Sequence, residues 1–218
     1  MKTKYTHLKK GQKTAVEICR LLLGLVFIFS GFVKAVDPWG FAYKIQEVFS
    51  VWDFSFFNFL ALPMSFSISA LEFTLGLCLC VGAYRKAVSL LTFLFLCIMT
   101  PYTLYLAIAN PMTDCGCFGD ALVITNWQTF FKNVVLIIAA LFVFLWHKHM
   151  SRFYSLHYRS WIVIFTILFI LSVSFYCVRY LPILDFRPYK IGKNIPEQMQ
   201  IPEGASHDIY ETKLIYEY

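Results

Sequence analysis

Two apolar runs joined by a basic turn occupy residues 65–109, with the sequence SFSISALEFTLGLCLCVGAYRKAVSLLTFLFLCIMTPYTLYLAIA. A bilayer core of about 30 Å needs around 20 mostly apolar residues per helix, and each run meets that length. Arg85 and Lys86 stand in the turn between the runs. The stretch therefore predicts a helical hairpin that crosses a membrane twice.

The composition extends this prediction to most of the chain. Of the 218 residues, 59% are hydrophobic and only 15% are charged, with a mean hydropathy of +0.63. A soluble domain carries about a quarter charged residues, so a soluble globular class is excluded. The formal net charge of +6 does not indicate nucleic-acid binding. The basic residues cluster between the apolar runs, a pattern that is typical of membrane orientation.

Five apolar runs are long enough to span a bilayer, and they predict an all-α polytopic membrane helix bundle. They cover residues 17–36, 65–83, 87–109, 127–146 and 161–178. We therefore divide the chain into a basic cytoplasmic N-terminus (1–16), a four-helix membrane core (17–146), a basic cytoplasmic loop (147–160), a fifth transmembrane helix (161–180) and a short extracytoplasmic tail (181–218).

The basic residues also predict the orientation of the bundle. Lysine and arginine are frequent in the first 20 residues and in the loop at 147–160, whereas the opposite loops at 37–64 and 110–126 hold only Lys44. The positive-inside rule then places the N-terminus in the cytoplasm and, after five crossings, the C-terminus outside.

Two segments outside the apolar runs have patterns of their own. GFAYKIQEVF, at residues 40–49, predicts an amphipathic helix with Phe41, Ile45 and Phe49 near one face, lying in the outer membrane interface. YETKLIYEY, at residues 210–218, alternates like a strand. A lone strand is not stable by itself, so this segment is predicted to pair with something else.

The motif DCGCFGD, at residues 114–120, is the sharpest chemical signal in the chain. Cys115 and Cys117 stand one residue apart, and a disulfide between them would close a small strained ring that is easily reduced and exchanged. The alternatives are a static disulfide or two thiols that merely pack at the loop tip. We predict no metal site, because zinc needs about four ligands and no histidine occurs on this face before His207.

Three ionisable residues lie within or beside the apolar runs. Glu72 is well inside the second run, where a lone charge is costly, so it is predicted to be neutral or partnered. Lys34 lies near the outer end of the first run, at a depth that matches Glu72. The pair is either a proton or quinone-headgroup contact or a structural clamp between two helices. Arg20 stands at the inner boundary, where an interfacial anchor is favoured.

Several of these residues resemble the signature of the DoxX family, in the subgroup that includes MauE, the methylamine-utilisation membrane protein. The first helix carries RLLLGLVFIFSGFVKAVDPWGF at residues 20–41, and the second carries Pro63, Glu72 and Gly76. CGCFG at 115–119 is followed by Asn-Trp at 126–127 and Lys-Asn at 132–133. The resemblance covers residues 20–146 and implies a four-helix membrane core, to which this chain adds a fifth helix.

The resemblance implies a redox function in a bacterial inner membrane. MauE-like proteins are associated with disulfide formation in an extracytoplasmic enzyme, and other DoxX members with a thiosulfate:quinone oxidoreductase. Cys115 and Cys117 would be the catalytic redox pair, while Glu72, Lys34 and Arg20 match family positions and are candidates for proton or quinone contacts.

The expected activity is thiol–disulfide exchange with an extracytoplasmic partner, either a thioredoxin-like protein or a substrate with immature disulfides. A quinone is the candidate electron acceptor. Two alternatives stay open: a non-enzymatic membrane anchor or assembly subunit for a partner protein, and a quinone-coupled subunit with no thiol step.

Overall fold

The chain was analysed as a computed structural model, which describes residues 10–112, 115–122, 124–153, 156–180 and 182–184. Within these residues every regular element is helical. The long helices are α1 (Lys10–Val36), α2 (Pro38–Val51), α3 (Ala61–Val81), α4 (Arg85–Ala109), α5 (Asn126–Leu145) and α6 (Arg159–Arg179). Short 3-10 turns occupy Ser55–Leu60, Gly119–Ala121, His147–His149 and Leu156–Tyr158. The predicted terminal strand at 210–218 lies outside the described residues.

Among the described residues, five helical segments are long and apolar enough to cross a membrane, as the sequence predicted. They are Gly11–Val36, Ser55–Val81, Arg85–Ala109, Asn126–Leu145 and Arg159–Arg179. The second span begins earlier than the predicted residue 65, because the turn at Ser55–Leu60 runs directly into α3. Pro63 does not prevent this, since it lies in the first turn of α3, where a missing N–H breaks no helical hydrogen bond. The chain is therefore a multi-pass membrane protein in contact with the bilayer.

Helices α1 and α3 form the most closely packed pair of the bundle. Gly31 on α1 lies so near α3 that a Cβ placed there would come 2.5 Å from Phe73 N and 2.8 Å from Ser69 O. Gly76 on α3 faces the backbone of Ile28 in the same way, at 2.6 Å from its nitrogen. Neither position leaves room for a Cβ, so these two glycines permit the close packing of α1 on α3. The short separation lets side chains of α1 and α3 meet directly within the bundle.

The bundle has two ends that differ in chemistry. We call the end that carries the loop between α4 and α5 the dithiol face, because this loop contains Cys115 and Cys117. We call the opposite end the basic face, and it holds the start of α1, the turn before α4 and the segment 146–153. By the positive-inside rule the basic face is predicted to be cytoplasmic.

Helix α2 lies at the dithiol face and packs mainly against α3. Pro38 occupies its first turn, and Asp37 caps it by accepting a hydrogen bond from Gly40 N at 3.0 Å. The helix itself was predicted, but the role of its apolar face was not. Phe41, Ile45 and Phe49 line an internal cavity of the bundle.

Candidate functional site

A buried ion pair joins α1 to α3 beneath the dithiol face. Lys34 Nζ lies 2.7 Å from Glu72 Oε1 and 2.8 Å from Oε2, and the two side chains are 4% and 5% exposed. The lysine ammonium also stands 4.8 Å from the centre of the Phe41 ring. A buried carboxyl group is costly unless it is neutral or paired, and here a lysine ammonium lies directly against it. The predicted matching depth of Lys34 and Glu72 is therefore realised as a direct contact.

Ser30 connects this ion pair to the cysteine motif. Its Oγ lies 2.8 Å from Glu72 Oε2 and 2.7 Å from the carbonyl oxygen of Cys117. The single hydroxyl proton is shared between the two acceptors. Because Ser30 precedes Gly31, the close approach of α1 and α3 also sets this contact. The ion pair and the dithiol loop therefore form one connected polar network.

The loop between α4 and α5 is anchored at its ends. Asn126 Nδ2 donates to Asn110 Oδ1 at 3.0 Å and to Met112 O at 2.9 Å. Thr125 and Gln128 form a capping box that fixes the start of α5. These contacts hold the two helix ends together, so the loop folds back over the bundle.

Cys115 and Cys117 are free cysteines whose sulfur atoms are 2.8 Å apart, a hydrogen-bond contact between thiols. Gly116 between them has a φ of +64°, a left-handed conformation that an L side chain rarely adopts. This turn brings the two side chains to the same side of the loop. The hydrogen bond from Cys115, together with the positive charges of Lys132 and Lys34, lowers the pKa of the Cys117 thiol despite its burial. These directions favour Cys117 as the more readily ionised thiol of the pair.

Lys132 brings a further positive charge to the site from α5. Its Nζ stands 4.2 Å from the centre of the Phe118 ring, in a cation–π contact. Phe118 in turn packs on Phe29 of α1, with ring centroids 5.5 Å apart. The lysine is thereby held beside the cysteine loop.

The dithiol opens onto a cavity of about 310 Å³ inside the bundle. Its walls are mostly apolar, and its polar lining groups include Lys34, Glu72, Lys132 and both cysteines. Tyr102 of α4 also lines the cavity, and its buried hydroxyl has no hydrogen-bond partner within the described part of the chain. An apolar cavity with a few convergent polar groups is typical of a small-molecule site.

Arg20 lies far from this site. It is 14 residues before Lys34 on the same helix, which corresponds to about 21 Å along the axis. Its side chain is fully buried at the basic face, where Nη1 donates to Ser151 O at 2.7 Å and Nη2 lies 2.7 Å from Glu17. The guanidinium also stands over Phe153. The arginine therefore links α1 to the segment before α6. Its partners are protein groups, whereas an interfacial anchor would contact lipid headgroups.

The structure thus brings four of the five predicted site residues together and leaves Arg20 apart. It adds Ser30, Tyr102 and Lys132, which sequence reasoning did not assign to the site. Lys132 could have been identified as a candidate from the sequence, because it is a charged residue in an otherwise apolar run. Nothing in the sequence marked Tyr102 as a site residue beyond its position after Pro101.

This arrangement has the parts that thiol redox chemistry requires. A dithiol can close to a disulfide, a cation stabilises the thiolate, and a cavity beside the sulfur atoms can receive a reactant. The buried carboxylate of Glu72, linked through Ser30, adds a group that can hold a proton near the loop.

Two comparisons relate the chain to known proteins. The family described as "Methylamine utilisation protein MauE" matches residues 12–146, which include both cysteines and the ion pair. The chain is 26% identical over 128 residues to Protein TlpB of Flavobacterium psychrophilum, an alignment that covers 57% of this chain and 35% of that protein. The chain therefore spans about a third of that relative's length. No solved structure matches at a significant level.

Proposed function

The chain belongs to the MauE family of membrane proteins, and we propose that it exchanges a disulfide with a protein partner at the dithiol face, which faces the outside. The observation that carries the proposal is the cysteine pair itself. Two sulfur atoms 2.8 Å apart stand in the wall of a cavity, with Lys132 and Lys34 beside them.

The first half of the cycle takes two electrons from the partner. A partner thiolate attacks Cys115 Sγ in the Cys115–Cys117 disulfide, and the S–S bond breaks with Cys117 leaving as a thiolate. Cys117 suits this role because a sulfur with a lowered pKa leaves faster. The second thiol of the partner then attacks the partner's first sulfur atom, which is bonded to Cys115 in the mixed disulfide. A partner disulfide forms, and Cys115 is released as a thiol.

The second half of the cycle returns the cysteine pair to the disulfide. The cavity supports a lipid-soluble quinone as the oxidant, because its walls are apolar and Tyr102 and Lys132 offer donors for a carbonyl oxygen. Closing the disulfide from one thiol and one thiolate releases two electrons and one proton, and a quinone would take up both electrons, that proton and one proton from water. The Cys117 thiolate would face the quinone, and the Cys115 thiol would lose its proton as its sulfur bonds to Cys117 Sγ. Glu72, linked to the loop through Ser30, is positioned to pass on the proton that Cys115 loses.

The partner thiol is tested by trapping the mixed disulfide in cells. The Cys117→Ser variant cannot form the internal disulfide, so its Cys115 thiolate should attack the disulfide of an oxidised partner, with one partner sulfur leaving as a thiolate. The reductant-sensitive mixed disulfide should then accumulate, because no Cys117 thiol is present to resolve it. Cys115→Ser should form much less of it, and Cys97→Ser, whose thiol lies within α4, should behave as the parent chain.

The same variants separate the two alternatives. A membrane anchor that uses the pair as a static staple would lose assembly in both loop variants without forming any adduct. A quinone-linked subunit without a thiol step would keep its activity in both, and lose it in Glu72→Gln. Either pattern would replace the exchange proposal.

A further inference from the structure

A second cavity lies at the basic face, between the start of α4 and the 3-10 turn at His147–His149. Its volume is about 530 Å³, and Arg85, Lys86, Lys148 and Arg152 line it. No carboxylate occurs among the described residues that line this pocket. The cavity therefore concentrates four positive charges from two segments that are distant in sequence. We call it the basic pocket.

Hydrogen bonds hold the basic pocket in a defined shape, so it is more than a group of solvated charges. Arg85 Nη1 donates to Lys148 O at 3.0 Å and to Met150 O at 2.7 Å. These two hydrogen bonds fix the guanidinium between α4 and the segment that follows α5. The walls of the pocket keep their spacing because the arginine joins them.

The start of α4 adds a further attraction for an anion. Tyr84 precedes the helix in a left-handed conformation, with φ 43° and ψ 43°, and makes no side-chain capping hydrogen bond. The first turn contains no acidic residue. Backbone N–H groups of the first turn lack helical acceptors, and the helix dipole is positive at this end. Anionic oxygen atoms are the natural complement of such a site.

We propose that the basic pocket binds the phosphate of an anionic phospholipid. The lipid source is favoured over a soluble phosphate because the pocket opens at the end of a membrane span, Arg85–Ala109. Leu90 lines the pocket, and Leu94, one turn further along the apolar span of α4, is 47% exposed. The headgroup would occupy the pocket while an acyl chain follows these leucines. The site is independent of the dithiol and of its redox chemistry.

The test measures lipid selectivity of the full chain in phosphatidylcholine vesicles, using spin-labelled phosphatidylglycerol and spin-labelled phosphatidylcholine as probes. Lys86→Glu reverses a charge in the pocket. Lys13→Glu makes the same change at an exposed position of α1, on the same face but outside the pocket. A glutamate in the first turn of α4 is compatible with the helix dipole, so Lys86→Glu should fold.

We expect the parent chain and Lys13→Glu to prefer phosphatidylglycerol, and Lys86→Glu to lose about fivefold or more of that preference. Equal losses in both variants, or no preference in the parent chain, would overturn the proposal. Sodium phosphate is compared with sodium chloride at equal ionic strength as a competitor. No added effect of phosphate supports the lipid headgroup, whereas displacement of the probe by phosphate would reassign the pocket to a soluble anion.

Discussion

The buried pair of Lys34 and Glu72 makes a prediction whose magnitude follows from its geometry. Lys34→Met would leave the Glu72 carboxylate buried without its partner, and Glu72→Leu would leave the ammonium in the same state. Removing one partner of a buried pair costs about 3–5 kcal/mol in the free energy of unfolding. The double variant removes both charges and fills the space with apolar groups, so it should be more stable than either single variant.

Unfolding in detergent micelles with increasing sodium dodecyl sulfate, followed by circular dichroism, measures these free energies. Lys44→Met is the matched control, because Lys44 and Glu47 form a looser pair at 3.5 Å with side chains 26% and 39% exposed. A looser and partly exposed pair contributes less than a buried one, so Lys44→Met should cost less than either single change. The reasoning is refuted if the double variant is destabilised by the sum of the two single changes, because the two charges would then not be coupled.

The remaining predictions concern the thiolate and the helix contact. Lys132→Gln should raise the pKa of Cys117 and slow its alkylation at neutral pH, while Lys148→Gln at the basic face should not change the rate. Since the pKa of Cys117 is lowered, its thiolate persists as the pH falls, and alkylation by iodoacetamide should continue below the pH at which an ordinary cysteine stops reacting. A Lys132→Gln profile identical to that of the parent would contradict this cause. Gly31→Val should prevent close packing of α1 on α3 and lower the yield of folded protein, whereas Gly11→Val, with open space around its Cα, should have little effect.

The transmembrane helices could be predicted from the sequence because a bilayer imposes a length and a polarity on each span. The same constraint led to the pairing of Lys34 with Glu72. A carboxylate inside an apolar run needs a partner, and the lysine had the matching depth.

Other features depend on tertiary contacts that no local pattern encodes. The apolar face of α2 suggested a membrane interface, but the sequence did not reveal that this face also lines the cavity, since apolar protein and lipid give the same sequence pattern. Arg20 matched the depth of an interfacial anchor, but Ser151 and Glu17 provide its partners from within the protein. Lys132 reaches the dithiol only because residues 115–122 of the loop between α4 and α5 fold back over the bundle.

The redox state of the Cys115–Cys117 pair in intact cells tests the central claim most directly. Cells are treated with a mild reductant, which is then removed, and a membrane-impermeant maleimide of known mass is added at intervals. The account predicts that labelling of the pair is high directly after reduction and falls as the disulfide re-forms, and that label is absent in the Cys115→Ser, Cys117→Ser double variant. If both thiols stay reduced, or become labelled only after the cells are opened, the pair does not cycle at the outer face and the proposed exchange is wrong.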